Sequence, residues 1–253
     1  MFLLSVDSFG KNTIFAVSKF KDMKKLNIIL GMILFAAVAF FSCKDESGEF
    51  VEQLYTNSQK EKAIKDCLRA SADSALNHLC VADGFYNYNN AAYRIDYSPL
   101  QNSLFDTLVR HGYGNLADSL ILHTNRLAEN CKAQLAPLFT SAIDTLEIFD
   151  YDALIQGDVT AITKYFETYK YQFLRSAFQT PVSIRLNLFG VTQIWNEMIH
   201  LYAQYTSAPL NFDVQNYVAE KMLDGLLQEM RVEEELIRTD STHRSESMEL
   251  FGD

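Results

Sequence analysis

Beyond residue 58, apolar side chains recur three and four residues apart, and little interrupts them. Ala63, Ile64, Cys67, Leu68, Ala75, Leu76 and Leu79 fall on one stripe of a helix. Ile162, Tyr165, Phe166, Tyr169, Phe173 and Leu174 repeat that spacing later in the chain. Only 10 Gly and 4 Pro occur in 253 residues, too few turn-formers for many short strands. The expected fold is therefore all-α, an irregular array of about seven to nine helices in a single domain over residues 58–253, with no repeat period. With 18 Phe and 13 Tyr against 1 Trp, its core should be aromatic, and the stripe from Ile162 to Leu174 is expected to face it.

Joints follow from cap and breaker residues. Ser58 and Glu61 have capping-box spacing, which starts the first helix, and Gly84 ends it. Residues 85–98 read as a loop whose Tyr93, Ile95 and Tyr97 alternate like a short extended piece. Pro99 suits the first turn of a helix running to His111, with Gly112 as its stop. A helical stretch over 116–146 is expected to break or kink at Pro137. Asp150 caps a short helix ending at Gly157, Asp158 caps the next, and Pro181 breaks the chain again. Helices over 183–205 and 213–237 follow, the second capped by Asp213, and the tail carries a docking patch of Met248, Leu250 and Phe251.

The N-terminus is of another kind. Lys24 and Lys25 precede a 16-residue apolar run, Leu26 to Phe41, short for a spanning helix, which needs about 20 residues, and suited to a signal segment. It ends Phe40-Phe41-Ser42-Cys43, which resembles a lipobox, so residues 1–42 are expected to be removed and Cys43 to carry the lipid. Met23 would give a signal of ordinary length, so residues 1–22 are read as lying upstream of the true start. Residues 43–57 then form the lipidated Cys and a polar tether, and Lys44-Asp45-Glu46 resembles a tag of surface-exposed lipoproteins. The expected place is the bacterial outer membrane, periplasmic or surface-exposed, with the membrane as partner through the lipid. Residues 1–42 hold five Lys and two acids, so 17 of the 22 basic and 30 of the 32 acidic residues lie beyond them, a net charge of −13. Such a surface repels phosphate backbones, which argues against nucleic acid as a partner.

Chemistry-bearing residues are sparse. Cys67, Cys80 and Cys131 are an odd set, and 13 residues of helix, about 20 Å, separate the first two, so buried free thiols are expected. The five His share no ligand spacing with a Cys or acid; no metal and no cofactor is expected. Asn125 and Glu129 are i,i+4 neighbours on one helix face, with Arg126 about 100° away, and read as a buried polar network or a ligand site. Asp152 and Arg238 complete the ligand-binding candidates. Arg238 and Arg244 resemble an anion fork, which Glu233, Glu234 and Glu235 are close enough to satisfy locally. Asp150 and Asp152 suit acid–base work only in environments that separate their pKa values.

In order along the chain, Asn125-Arg126-Leu127-Ala128-Glu129, Asp152-Ala153 with Gly157, Ala161-Ile162-Thr163-Lys164-Tyr165-Phe166, Phe178 with Pro181, Tyr217-Val218 with Asp224-Gly225-Leu226, and Glu234-Glu235 with Ile237-Arg238, Arg244 and Phe251-Gly252 form a pattern. From about Glu61 to Gly252 this pattern resembles the bacterial family catalogued as domain of unknown function 4197. Ile162 and Tyr169 stand where that family has small or polar residues, and Ser245-Glu246 where it has a Thr pair. The resemblance implies a helical fold and an envelope location, and no activity. The expected function is a lipid-anchored, non-enzymatic binding or scaffold module. The alternatives are an envelope hydrolase using Asp152 or Glu129 with Arg126, and a carrier with an aromatic cavity near Tyr165 and Phe173.

Overall fold

Helix α9 (Val214–Thr239) buries twelve of its 26 residues, from Tyr217 and Val218 to Glu234 and Ile237. That is more than one stripe supplies, and it places α9 inside the molecule with neighbours on two sides. One neighbour is α1 (Asn57–Leu79) and the other is α7 (Ala161–Leu188). Helix α5 (Lys132–Asp144) packs against both α1 and α7 and closes a four-helix core. The computed structural model describes residues 55–252. The predicted signal segment, Cys43 and most of the tether lie outside those residues.

The remaining elements pack around this core. Helices α2 (Gly84–Ala91) and α4 (Gly114–Glu129) pack together, with a 3-10 turn (Ser98–Leu100), a π turn (Gln101–Phe105) and α3 (Asp106–Arg110) between them in sequence. The short α6 (Tyr151–Ile155) bridges α1 and α7, and α8 (Val191–Tyr205) lies against α4 and α7. Two 3-10 turns, Ser241–His243 and Glu246–Phe251, end the domain. The fold is all-α, with nine α-helices and no strand among the described residues. No helix among them is long and apolar enough to cross a membrane.

Aromatic rings fill the seam between α5 and α7, where Phe139 meets Phe166 at 6.3 Å and Phe178 edge-on at 6.0 Å. Gly225 lets α2 approach α9, because a Cβ there would stand 3.1 Å from the Phe85 ring. The C-terminal patch docks as expected, with Met248, Leu250 and Phe251 buried and the Ser247 hydroxyl donating to Asp66 of α1 at 2.6 Å.

Several joints fall elsewhere than the sequence suggested. The first capping box is Thr56 with Gln59, two residues earlier than Ser58 and Glu61. The long stretch over 116–146 breaks at Asn130–Cys131, and Pro137 sits inside α5. The carbonyl that Pro137 leaves unbonded belongs to Ala133, an exposed residue. Pro181 lies inside α7, because Leu174, Phe178, Val182 and Leu186 stay buried at four-residue spacing across it. Burial of those four side chains at about 1.5–3 kcal/mol each outweighs the roughly 3 kcal/mol of an internal proline. The true joint is Gly190, at φ +73°, and α8 starts at Val191 instead of residue 183. Tyr169 and Phe173, expected in the core, are 54% and 47% exposed, because α7 buries a row that turns away from them. The carrier alternative loses its cavity wall there. Asp158 folds the loop before α7 onto the Thr160 amide at 2.9 Å without capping the helix.

Two predictions follow from burial and charge. All three described cysteines are buried and unpaired. Burial pushes the Cys80 and Cys131 thiols up to about 12 and Cys67 higher still. Intact-mass analysis after iodoacetamide at neutral pH should find all three unmodified in native protein and all three alkylated in urea. Asp158 is held down to about 2, first by the Lys164 ammonium and then by the Thr160 amide and hydroxyl, against an ordinary 3.8. A depressed carboxylate stabilises the fold above 3.8 and ceases to as pH falls towards 2. Thermal melts should show Asp158→Asn below wild type at pH 7 and the gap closing by the lower pH.

Candidate functional site

Helix ends leave amide donors and carbonyl acceptors without partners, and inside a protein these must be met by something. Two polar clusters bond backbone groups here, and a third joins side chains of α1, α2 and α9. The first joins α9 to the junction of α6 and α7. Fully buried Glu234 accepts the Ile162 amide at 2.9 Å and the Thr163 amide at 2.7 Å, capping α7 from another helix. Its negative charge also faces the positive end of the α7 dipole. Arg238, one turn further along α9, donates through Nε to Glu234 at 3.1 Å. Its two terminal nitrogens reach the Ile155 carbonyl at 2.8 Å and the Leu154 carbonyl at 2.7 Å, at the end of α6. Arg244 closes α9 itself, donating to the Ile237 and Arg238 carbonyls at 2.6 Å each. Gly252 leaves room for that guanidinium, since a Cβ there would lie 1.8 Å from it.

The second cluster is on α4. Buried Asn125 accepts the Ile95 amide at 3.0 Å and donates to the Ile95 carbonyl at 3.0 Å and the Ile121 carbonyl at 2.7 Å. Its amide thus pairs with both backbone groups of Ile95 as a neighbouring strand would, and Tyr93, Ile95 and Tyr97 are all buried. Glu129 accepts the Tyr86 amide at 3.0 Å and Arg126 at 2.6 Å, and Arg126 continues to Asp83 at 2.7 Å. The i,i+3 spacing brings Arg126 to Glu129, although its Cβ leaves the shared face of Asn125 and Glu129.

The third cluster was not legible in the sequence. Glu229 of α9, 3% exposed, is bonded by His78 Nδ1 at 2.7 Å, by the Tyr88 hydroxyl at 3.2 Å and by the Tyr93 hydroxyl. The His78 and Tyr88 rings stack at 5.4 Å. One turn along, Ser74 donates to Glu233 at 2.9 Å, so α1 and α9 meet in two rungs with four-residue spacing on each helix. Tyr88 is held in place by unusual backbone. Asn89, Asn90 and Ala91 all lie in the left-handed region, at φ 49°, 57° and 64°. Each non-glycine residue there costs about 1–2 kcal/mol, and such strain gathers where a side chain must be aimed. Burial, followed by the bond to Glu229, pushes the Tyr93 hydroxyl well above its usual range. His78 and Tyr88 both reach solvent.

Beside Tyr93 runs a groove of about 270 Å³, with Arg94, Asp96, Lys221, Asp224 and Gln228 on its walls. Arg94 lies over the Tyr86 ring at 4.4 Å. Tyr171 donates to Asp224 at 2.9 Å, and burial together with that carboxylate pushes its own phenol up to about 12.

The residues singled out from sequence therefore form separate groups. Asn125, Arg126 and Glu129 share one helix and hold one loop. Arg238 belongs with Glu234 at the α6–α7 junction. Asp152 lies on the surface of α6, paired with Lys60 at 2.5 Å. Asp150 caps α6 through the Ala153 amide at 2.9 Å. No group of three metal-binding side chains occurs among the described residues.

The family model described as "Protein of unknown function (DUF4197)" matches residues 54–251. The chain belongs to this family. No curated protein and no solved structure matches it. The DUF4197 match runs from just before the Thr56 cap to Phe251 beneath the Arg238 guanidinium, so all three polar clusters lie within it.

Removing Arg238 strands a buried carboxylate and two carbonyls. Arg238→Ala should lower stability by about 3–5 kcal/mol, read as a shifted urea midpoint at unchanged slope. Glu129→Gln keeps an acceptor for the Tyr86 amide while losing the charge facing Arg126, and should cost about 1–3 kcal/mol.

Proposed function

We propose that this chain is a non-enzymatic binding or scaffold module of the bacterial cell envelope, held to the outer membrane by a lipid on Cys43. The observation that carries the reading is how the interior polar groups are used. Glu234 and Arg238 are bonded to helix ends, and Glu129 and Asn125 to the 86–95 segment. Each of these groups bonds the backbone, and the remaining buried carboxylate, Glu229, is taken up by His78, Tyr88 and Tyr93. The hydrolase alternative needed Glu129 or Asp152 with Arg126; Glu129 is already filled by Tyr86 and Arg126, and Asp152 faces solvent beside Lys60.

The contact surface in this reading is the His78–Tyr88 corner with the adjoining groove. Strained backbone presents Tyr88, buried Glu229 holds His78 and Tyr88, and the groove offers both charges through Arg94, Lys221 and Asp224. That chemistry suits a polar ligand carrying donors and acceptors. An amphipathic ring such as Tyr88 is a common anchor of such surfaces.

Feeding an alkyne fatty acid to bacteria that make the full chain should label the protein in the membrane fraction. Cys43→Ser should be unlabelled, and an unlabelled wild-type protein would end the anchor reading. A photoreactive phenylalanine at position 88 should give a discrete adduct in the same cells, and one at exposed Asp118 should not. Equal yields at the two positions would remove the contact surface.

A further inference from the structure

The outer face of α7 lacks charge. From Thr168 to Leu188 its exposed residues are Thr168, Tyr169, Gln172, Phe173, Ser176, Thr180, Ile184, Asn187 and Leu188, with no Asp, Glu, Lys, Arg or His among them. The charged residues in that span are drawn aside: Lys170 donates to the Thr145 carbonyl, Arg175 pairs with Glu220, and Arg185 donates to Gln134. Such a face is unusual on a chain whose residues beyond 42 carry a net −13. Tyr169, Phe173, Ile184 and Leu188 are 54%, 47%, 57% and 73% exposed. They stand at i,i+4 or three-turn spacing, so they form one strip about 30 Å long. Phe149 extends it, 70% exposed and 6.0 Å from the Tyr169 ring. The Phe149 loop is fixed there, since the Tyr165 hydroxyl donates to the Glu147 carbonyl at 2.9 Å and accepts the Phe149 amide at 3.3 Å.

We propose that this strip rests on the lipid bilayer, with Phe149, Phe173, Ile184 and Leu188 in the headgroup–acyl boundary and the uncharged polar residues at headgroup level. The inference rests on the Cys43 anchor. Where the chain enters the domain favours a lipid surface over other occupants. Only 11 residues lie between Cys43 and Tyr55, a reach of at most about 40 Å. They lead into α1, whose Lys60 is bonded to Asp152 of α6, and α6 follows Phe149 by one residue. The tether thus enters beside the aromatic end of the strip. Tyr, Phe, Ile and Leu with neutral polar residues between them suit the boundary, and the α7 face carries no carboxylate; exposed Glu147 and Asp150 flank Phe149, so a zwitterionic surface suits that end better than an anionic one.

Full-length lipidated protein would be incorporated into phosphatidylcholine vesicles with and without brominated acyl chains. Tryptophan would replace Phe173, Leu188 or, as a control on α9, Val232, and the wild-type Trp195 signal would be subtracted. All three sites are exposed, so the fold should persist, and circular dichroism checks it. The expected result is quenching at 173 and 188 at least about two-fold above that at 232, unchanged by added salt. Vesicle flotation in the same samples separates the two readings. Protein that floats with no excess quenching at 173 and 188 overturns the docking and leaves the anchor standing; protein that does not float overturns both. Strip tryptophans shielded instead by a second copy, seen as a dimer on cross-linking without excess quenching, also overturn it.

Discussion

A carboxylate and a guanidinium one turn apart on α9 hold together two helices that are distant from them in sequence. Glu234 supplies the missing acceptor at the start of α7, and Arg238 supplies the missing donors at the end of α6. Burying either charge alone would be prohibitive, and as a pair they gain little over an apolar substitute. Their value is positional: each uses its partner for one bond and its remaining valences for backbone that has no other partner. The turn between α6 and α7 is correspondingly tight, and a Cβ on Gly157 would stand 2.7 Å from both the Ala153 carbonyl and the Ala161 side chain. Everything that closes the four-helix core past α6 depends on that corner being filled.

The class of fold was legible because periodicity is a local signal repeated many times. Caps that act within their own turn were legible too, as at Asp150 and Asp213. Prolines misled, because the rule for Pro137 and Pro181 is steric and local while the outcome depends on burial several residues away. Tyr169 and Phe173 misled for a related reason: helical spacing shows that residues share a face, and only the neighbours decide which face is covered. The polar clusters were legible in part. Asn125 and Glu129 advertise a shared face, but their partners are the backbone of Ile95 and Tyr86, which leaves no trace in residue identity. His78, Tyr88, Tyr93 and Glu229 come together only once α1 is known to run alongside α9.

Two surfaces emerge with opposite character. The His78–Tyr88 corner is polar, titratable and supported by strained backbone. The outer face of α7 is uncharged, with apolar side chains along one helix. The contact reading places selectivity at the first and attachment at the second. The two features do not share a side chain, so a change in one leaves the other's chemistry intact.

Arg238 and Glu234 stand more than 70 residues after the helix ends they serve, and α9 is the last long element of the domain. Until the ribosome has made it, the end of α6 and the start of α7 lack these side-chain partners and α1 has no central partner. The nascent polypeptide therefore stays loose through most of its synthesis and condenses late, around its final helix. A molecule built this way remains threadable for as long as it is being made.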